Sequence, residues 1–110
     1  MPEIATDVLA RLFATIEARS GADPARSHTA AMLAKGPRKC AEKFGEEAVE
    51  TVMAAVSEDR DRLIGETADL LYHLLVVLEA RGVTLAEVEA ALARRASRSG
   101  LDEKASRKGG

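Results

Sequence analysis

Apolar residues return along this chain at three- and four-residue intervals, the spacing that lines one face of an α-helix. In residues 4–19, Ile4, Val8, Leu12 and Ile16 recur every fourth position with Leu9 and Phe13 beside them. This predicts a first helix that stops at Ser20-Gly21, because glycine suits the left-handed cap position. Asp23-Pro24 or Ser27 is placed to cap a short second helix that runs to about Leu33 and ends at Lys35-Gly36-Pro37. Pro37 fits the first turn of a third helix over 37–56, with an apolar face of Cys40, Phe44, Ala48, Val49, Val52, Met53 and Val56. Gly45 interrupts that helix at roughly 1 kcal/mol against alanine, which points to close approach by a ligand or a second helix. Ser57 or Asp59 caps a fourth helix over 59–81, whose expected core stripe is Leu63, Leu70, Leu71, Leu74, Val77 and Leu78. Gly82 ends it. Thr84 and Glu87 form a capping-box pattern that opens a fifth helix with Leu85, Val88 and Leu92 on its apolar face.

Composition agrees with this pattern. The 110 residues are 46% hydrophobic but only 3% aromatic, rich in Ala, Leu, Glu and Arg, and poor in strand-like alternation. The expected class is all-α: about five helices in one domain, packed as an antiparallel helical bundle. So short a chain buries a modest share of its surface, so the core is expected to be completed by dimerisation. A net charge of −2 gives no reason to expect a nucleic-acid partner. Cys40 is the only cysteine, which excludes an internal disulfide and suits a reducing, cytoplasmic setting. The N-terminal stretch lacks a signal-peptide pattern, and the longest apolar run, Leu74 to Leu78, is too short to cross a membrane. Beyond Arg95 the chain turns to Ser, Gly, Lys and Arg. Residues 1–96 are therefore expected to form the domain and 97–110 a basic, mobile tail.

Charge placement changes the picture more. Glu47 and Glu50 form one i,i+3 pair, and Glu66 and Asp69 form a second. The two pairs fall on consecutive helices that a short connection would return antiparallel, so both pairs can face one point. Glu66, Asp69 and His73 border the apolar stripe rather than oppose it, so the acids are expected to be partly buried. Carboxylates held together away from water repel and protonate unless a cation intervenes. A divalent ion resolves this, and hard oxygen donors without a thiolate suit Mg²⁺ or Mn²⁺. The plainer alternative is a set of solvated glutamates, with Lys43 near Glu46 and Glu47 absorbing part of the repulsion, on a non-catalytic helical dimerisation module.

Two segments carry a family resemblance. GEEAVE followed by ETADLLYH resembles the ExxE…ExxD metal signature of the MazG-like all-α NTP pyrophosphatases. SHTAAMLAKGPRKCAEKFGEEAVETVMAA, ETADLLYHLLVVLEARGVTLAEVEAAL and RSGLDEKASRK are similar to the phosphoribosyl-ATP pyrophosphatase family within that group, over nearly the whole chain from about residue 9. His28 stands where Tyr is more usual there, and Pro37 replaces a common aliphatic residue; neither is one of the acids. The resemblance implies Mg²⁺-dependent hydrolysis of phosphoribosyl-ATP to phosphoribosyl-AMP and pyrophosphate, the second step of histidine biosynthesis, by a stand-alone homodimer. It casts Glu47, Glu50, Glu66 and Asp69 as metal ligands, Glu46 and Glu47 as catalytic acids, and Lys39, Lys43, His73, Arg98 and Lys104 as substrate-binding residues. A general nucleotide pyrophosphatase that clears noncanonical dNTPs would share the metal site and differ in its base and sugar pocket.

Overall fold

The computed structural model describes residues 2–96, with side-chain surroundings from Val8 onward. The described residues form α1 (Pro2–Arg19), α2 (His28–Ala34), α3 (Pro37–Ser57), α4 (Arg60–Ala80) and α5 (Leu85–Ala96). The expected basic tail, with Arg98, Lys104 and Arg107, lies outside the described residues.

Local chemistry sets each helix end. Ser27, not Asp23, is the N-cap of α2, and its hydroxyl accepts the Ala30 N–H at 3.1 Å. Asp23 instead holds a turn, accepting the Ala25 N–H at 2.9 Å. Gly36, at φ 91°, separates α2 from α3, and Pro37 starts α3. A left-handed Glu58 (φ 64°) and an N-cap Asp59 turn α3 into α4, with Asp59 accepting the Arg62 N–H at 3.1 Å. At the end of α4, Val83 N–H bonds Leu78 O (2.9 Å) and Gly82 N–H bonds Glu79 O (3.1 Å). This is the glycine-closed helix ending, and Gly82 has the positive φ (71°) it requires. Thr84 and Glu87 form the expected reciprocal cap, with Glu87 N–H donating to Thr84 Oγ1 and Thr84 N–H to Glu87 Oε1. The Thr84 N–H and hydroxyl both donate to Glu87 Oε1, which holds the Glu87 carboxyl below its usual range.

The two 21-residue helices α3 and α4 are each about 31 Å long at 1.5 Å per residue, and they make the most extensive helix pair in the fold. The core lies toward one end of this hairpin. There Phe13 and Ile16 of α1, Met32 of α2, Cys40 of α3, and Leu75 and Val76 of α4 form one buried cluster. Cys40 donates its thiol to Met32 O at 3.2 Å, and burial pushes its pKa up. Cys40 is thus a packing residue.

Two expectations about the core need correction. On α3, Val49, Val52, Met53 and Val56 were expected inside but are exposed, Val56 at 73%. Only Cys40 and Ala54 of that helix are buried, because no other described helix covers this outer half of the hairpin. On α4, the deepest residues are His73, Leu75 and Val76 rather than the expected stripe, and Leu71 is exposed. Helix α4 packs against α3 on one side and α1 and α2 on another. Its Leu70–Leu78 run is apolar nearly all round, so periodicity alone does not choose the buried arc. Gly45 also differs from one expectation: a Cβ there meets nothing within 4 Å, so no second helix among the described residues explains the glycine.

Leu75→Ala removes a side chain that is 2% exposed. Denaturant unfolding should show a loss of about 2–5 kcal/mol; a loss below about 0.5 kcal/mol, the size expected of a surface change, would place Leu75 outside the core.

Candidate active site

Both acid pairs lie on the α3–α4 hairpin, and one hydrogen-bonded contact sets their level. The Thr51 hydroxyl lies 2.9 Å from Glu47 O in its own helix and 3.2 Å from Glu66 O in the facing helix. The contact joins the backbones of the two acid-bearing helices. Arg62 of α4 reaches across to Glu50 of α3, Nη2 to Oε2, at 3.8 Å. No sequence pattern pointed to this contact between the helices.

The acids differ in exposure. The Glu47 side chain is 15% exposed, while Glu46 is 69% and Glu50 56% exposed. Glu66 is half-buried, and its Oε2 is buried with no hydrogen-bond partner. Asp69 is exposed. Lys43 Nζ sits 3.5 Å from Glu47 Oε1 and 3.7 Å from Glu46 Oε1. Among the described residues, no three His, Cys, Asp or Glu side chains are gathered closely enough to hold an ion between them. Two of these carboxylates are drawn to Lys43 and a third to Arg62 instead.

The donor set nevertheless fits a divalent ion. An unpartnered buried carboxylate oxygen is costly, and the Glu66 Oε2 has that need. Glu47, on the facing helix, is itself largely buried. All four expected ligands offer hard oxygens on facing helices, which matches Mg²⁺ or Mn²⁺.

A groove of about 220 Å³ adjoins the acids, lined by Met32, Lys35, Lys39, Glu42, Lys43 and Glu46. Its lysines come from the end of α2 and one face of α3. Lys43 and Glu46 belong both to the groove and to the acid cluster. Lys39 also pairs with Glu42 at 3.4 Å. Lys35 also lines the groove; Arg38 turns its guanidinium to Glu42 at 3.5 Å. A second groove of about 310 Å³ lies between α1 and α5, with Glu17 and Glu89 and no cation in its lining. A polyanion is repelled there and attracted by the lysines.

His73 is 6% exposed, and its Nδ1 is buried without a hydrogen-bond partner. Burial lowers its pKa; Glu47 opposes this most among its charged neighbours, Lys43 and His28 reinforce it, and Asp69 opposes it. Tyr72 packs edge-on to His73 with ring centroids 4.9 Å apart, and stacks with His28 at 6.4 Å. The Tyr72 and Thr29 hydroxyls hydrogen-bond, tying α4 to α2. Sequence reasoning missed Thr51, Arg62 and the Thr29–Tyr72 tie. The Ser-x-Thr pattern at Ser27 and Thr29 is the one signal that touched any of them.

The phosphoribosyl-ATP pyrophosphohydrolase family model matches residues 9–96. The chain is 66% identical over 100 residues to a protein of Paracoccus denitrificans named phosphoribosyl-ATP pyrophosphatase, covering 91% of this chain and 93% of that one. It is 67% identical over 100 residues to the Dinoroseobacter shibae protein of the same name, at 91% and 98% coverage. The Jannaschia protein of that name is 63% identical over 99 residues, at 90% and 97% coverage.

The buried His73 predicts a pH dependence of stability. The folded protein holds the imidazole neutral, whereas the unfolded chain protonates it near its ordinary 6.5. Its contribution is present above that value and is lost as pH falls toward the lowered folded value. In metal-free buffer, the melting temperature should fall between pH 7.5 and pH values below 6.5, and less steeply in His73→Phe. Equal slopes in the two proteins would contradict the neutral buried imidazole.

Proposed function

The chain belongs to the phosphoribosyl-ATP pyrophosphohydrolase family, and from that premise we propose that it hydrolyses phosphoribosyl-ATP to phosphoribosyl-AMP and pyrophosphate at the α3–α4 acid cluster. One water is consumed and the bridge between the α and β phosphates is broken. Glu47, Glu50, Glu66 and Asp69 are the proposed Mg²⁺ ligands. When bound, the ion supplies charge neutralisation on the triphosphate. The observation that carries this reading is the buried, unpartnered Glu66 Oε2 on the helix that faces Glu47 and Glu50.

The other residues follow from their positions. Lys39 and Lys43 line the groove beside the acids and act as point charges on phosphate oxygens; Lys35 joins them. Glu46 is the most exposed of the α3 acids Glu42, Glu46, Glu47 and Glu50, so it is proposed to be the one that accepts a proton from water. Glu47 shares the catalytic role by holding Lys43. His73 is 6% exposed with its unpartnered Nδ1 buried, so it is proposed to orient an acid ligand rather than to touch the substrate. Arg98 and Lys104 remain proposed substrate contacts from the basic tail.

A second copy of the chain completes the bundle in this reading. Val49, Val52, Met53, Val56, Ile64 and Leu71 are exposed on the same hairpin, and an apolar surface of this kind marks an interaction site. No described helix is long and apolar enough to cross a membrane. Val52→Asp should turn a dimer into a monomer in analytical ultracentrifugation; a wild-type monomer would remove the proposal.

The test of the activity is pyrophosphate release with Mg²⁺ and phosphoribosyl-ATP, ATP or dCTP. Release from phosphoribosyl-ATP alone is expected, and Glu66→Gln should lower kcat by at least about 10-fold, as loss of a metal contact does, with an unchanged circular dichroism spectrum. Release from ATP and dCTP instead would move the protein to nucleotide clearance. Near-normal turnover of Glu66→Gln at saturating Mg²⁺ would sink the ligand assignment.

A further inference from the structure

We infer that Thr51 is a positioning residue for the metal site: its hydroxyl sets the register between α3 and α4 that brings the two acid pairs level. The inference rests on the metal-site reading above. A helical threonine commonly bonds the carbonyl four residues back, and Thr15 does so, to Arg11 O at 3.0 Å. Thr51 makes that bond to Glu47 O at 2.9 Å and also approaches Glu66 O on the facing helix at 3.2 Å. The single hydroxyl hydrogen is thus shared between two carbonyls, one from each acid pair.

Three features make this contact specific. The carbonyls belong to Glu47, the least exposed α3 acid of the set, and to Glu66, which carries the orphaned buried oxygen. Thr51 is half-buried, so water competes poorly for its hydroxyl. A one-residue slip of α4 would turn it by about 100°, carrying the Glu66 carbonyl away from the hydroxyl and re-aiming the Glu66 side chain. Cys40, Leu75 and Val76 fix the far end of the hairpin, while beside Thr51 the apolar residues Val52, Met53 and Ile64 are exposed in the chain and add little to the alignment there. Nondirectional apolar contacts hold the helices together, and the Thr51 hydrogen bond selects one alignment among those they permit.

The test uses Mn²⁺ as the probe, followed by isothermal titration calorimetry on the full chain, with the Mg²⁺ dependence of turnover measured alongside. Thr51→Val keeps the β-branched shape and removes the hydroxyl. Both acceptor carbonyls lie inside helices and keep their own N–H partners, so the fold should survive. Thr51→Ser restores the hydroxyl. Val76→Ala, in the core away from the acids, supplies a destabilised control. Thr51→Val should weaken Mn²⁺ binding about 10–100-fold, the range for loss of a group that orients metal ligands. It should raise the Mg²⁺ concentration needed for half-maximal turnover more than it lowers kcat. Thr51→Ser should bind Mn²⁺ close to wild type, and Val76→Ala should melt earlier with Mn²⁺ binding kept.

Unchanged Mn²⁺ affinity in Thr51→Val would overturn the inference and leave the metal site standing. Equal losses in Thr51→Val and Val76→Ala would reduce Thr51 to a general stability role and overturn it as well. Absence of Mn²⁺ binding in the wild type would remove the metal site, and the Thr51 role with it.

Discussion

Like charges on two facing helices must be held close without driving the helices apart. At an effective dielectric near 20, two unit charges about 4 Å apart repel by roughly 4 kcal/mol, a large share of a small domain's stability. This chain lessens that repulsion in two ways. Lys43 stands between Glu46 and Glu47, and Arg62 answers Glu50 from the opposite helix. Glu66 is left with a buried oxygen that no protein group satisfies. The proposed divalent ion answers that imbalance, and the lysine-lined groove beside it suits a polyphosphate.

The fold divides the work along the hairpin. Near one end, α1 and α2 cover α4 and the start of α3, and the buried cluster from Phe13 to Val76 supplies the packing energy. Toward the other end, α3 and α4 face each other without a third described helix, so their outer apolar residues remain uncovered. Two helices alone do not bury enough surface to rigidify this half. A second chain is the proposed cover, and the hydrogen bond from Thr51 to Glu66 O supplies direction where apolar contact does not.

Much of this was legible before the structure, and the failures have physical causes. Helix ends were readable because caps depend on a few adjacent residues: Asp59, Thr84 with Glu87, and Gly82 all act where local chemistry places them. The choice between Asp23 and Ser27 was not readable, since either side chain accepts an N–H and only the path of the chain decides. The core was half-readable. Periodicity reports which residues are apolar but not what lies against them, so Val52 and Val56 were expected inside and Leu75 and Val76 were passed over. The acid pairs stood out because i,i+3 spacing is local. Thr51 and Arg62 act across helices, and no pattern in one helix announces a contact with another. Ser27 and Thr29 lie between these cases: the family-like Ser-x-Thr was visible, yet its roles, a helix cap and a tie to Tyr72, required the fold.

The central claim is that facing carboxylates of α3 and α4 share one divalent ion. A crystal grown with Mn²⁺ and measured for anomalous scattering tests it most directly. The account predicts an anomalous peak between the two helices, with oxygens of Glu47, Glu50, Glu66 and Asp69 around it and Glu66 Oε2 no longer without a partner. A peak held by one helix only, or an ordered structure in Mn²⁺ with no peak in the hairpin, would contradict it.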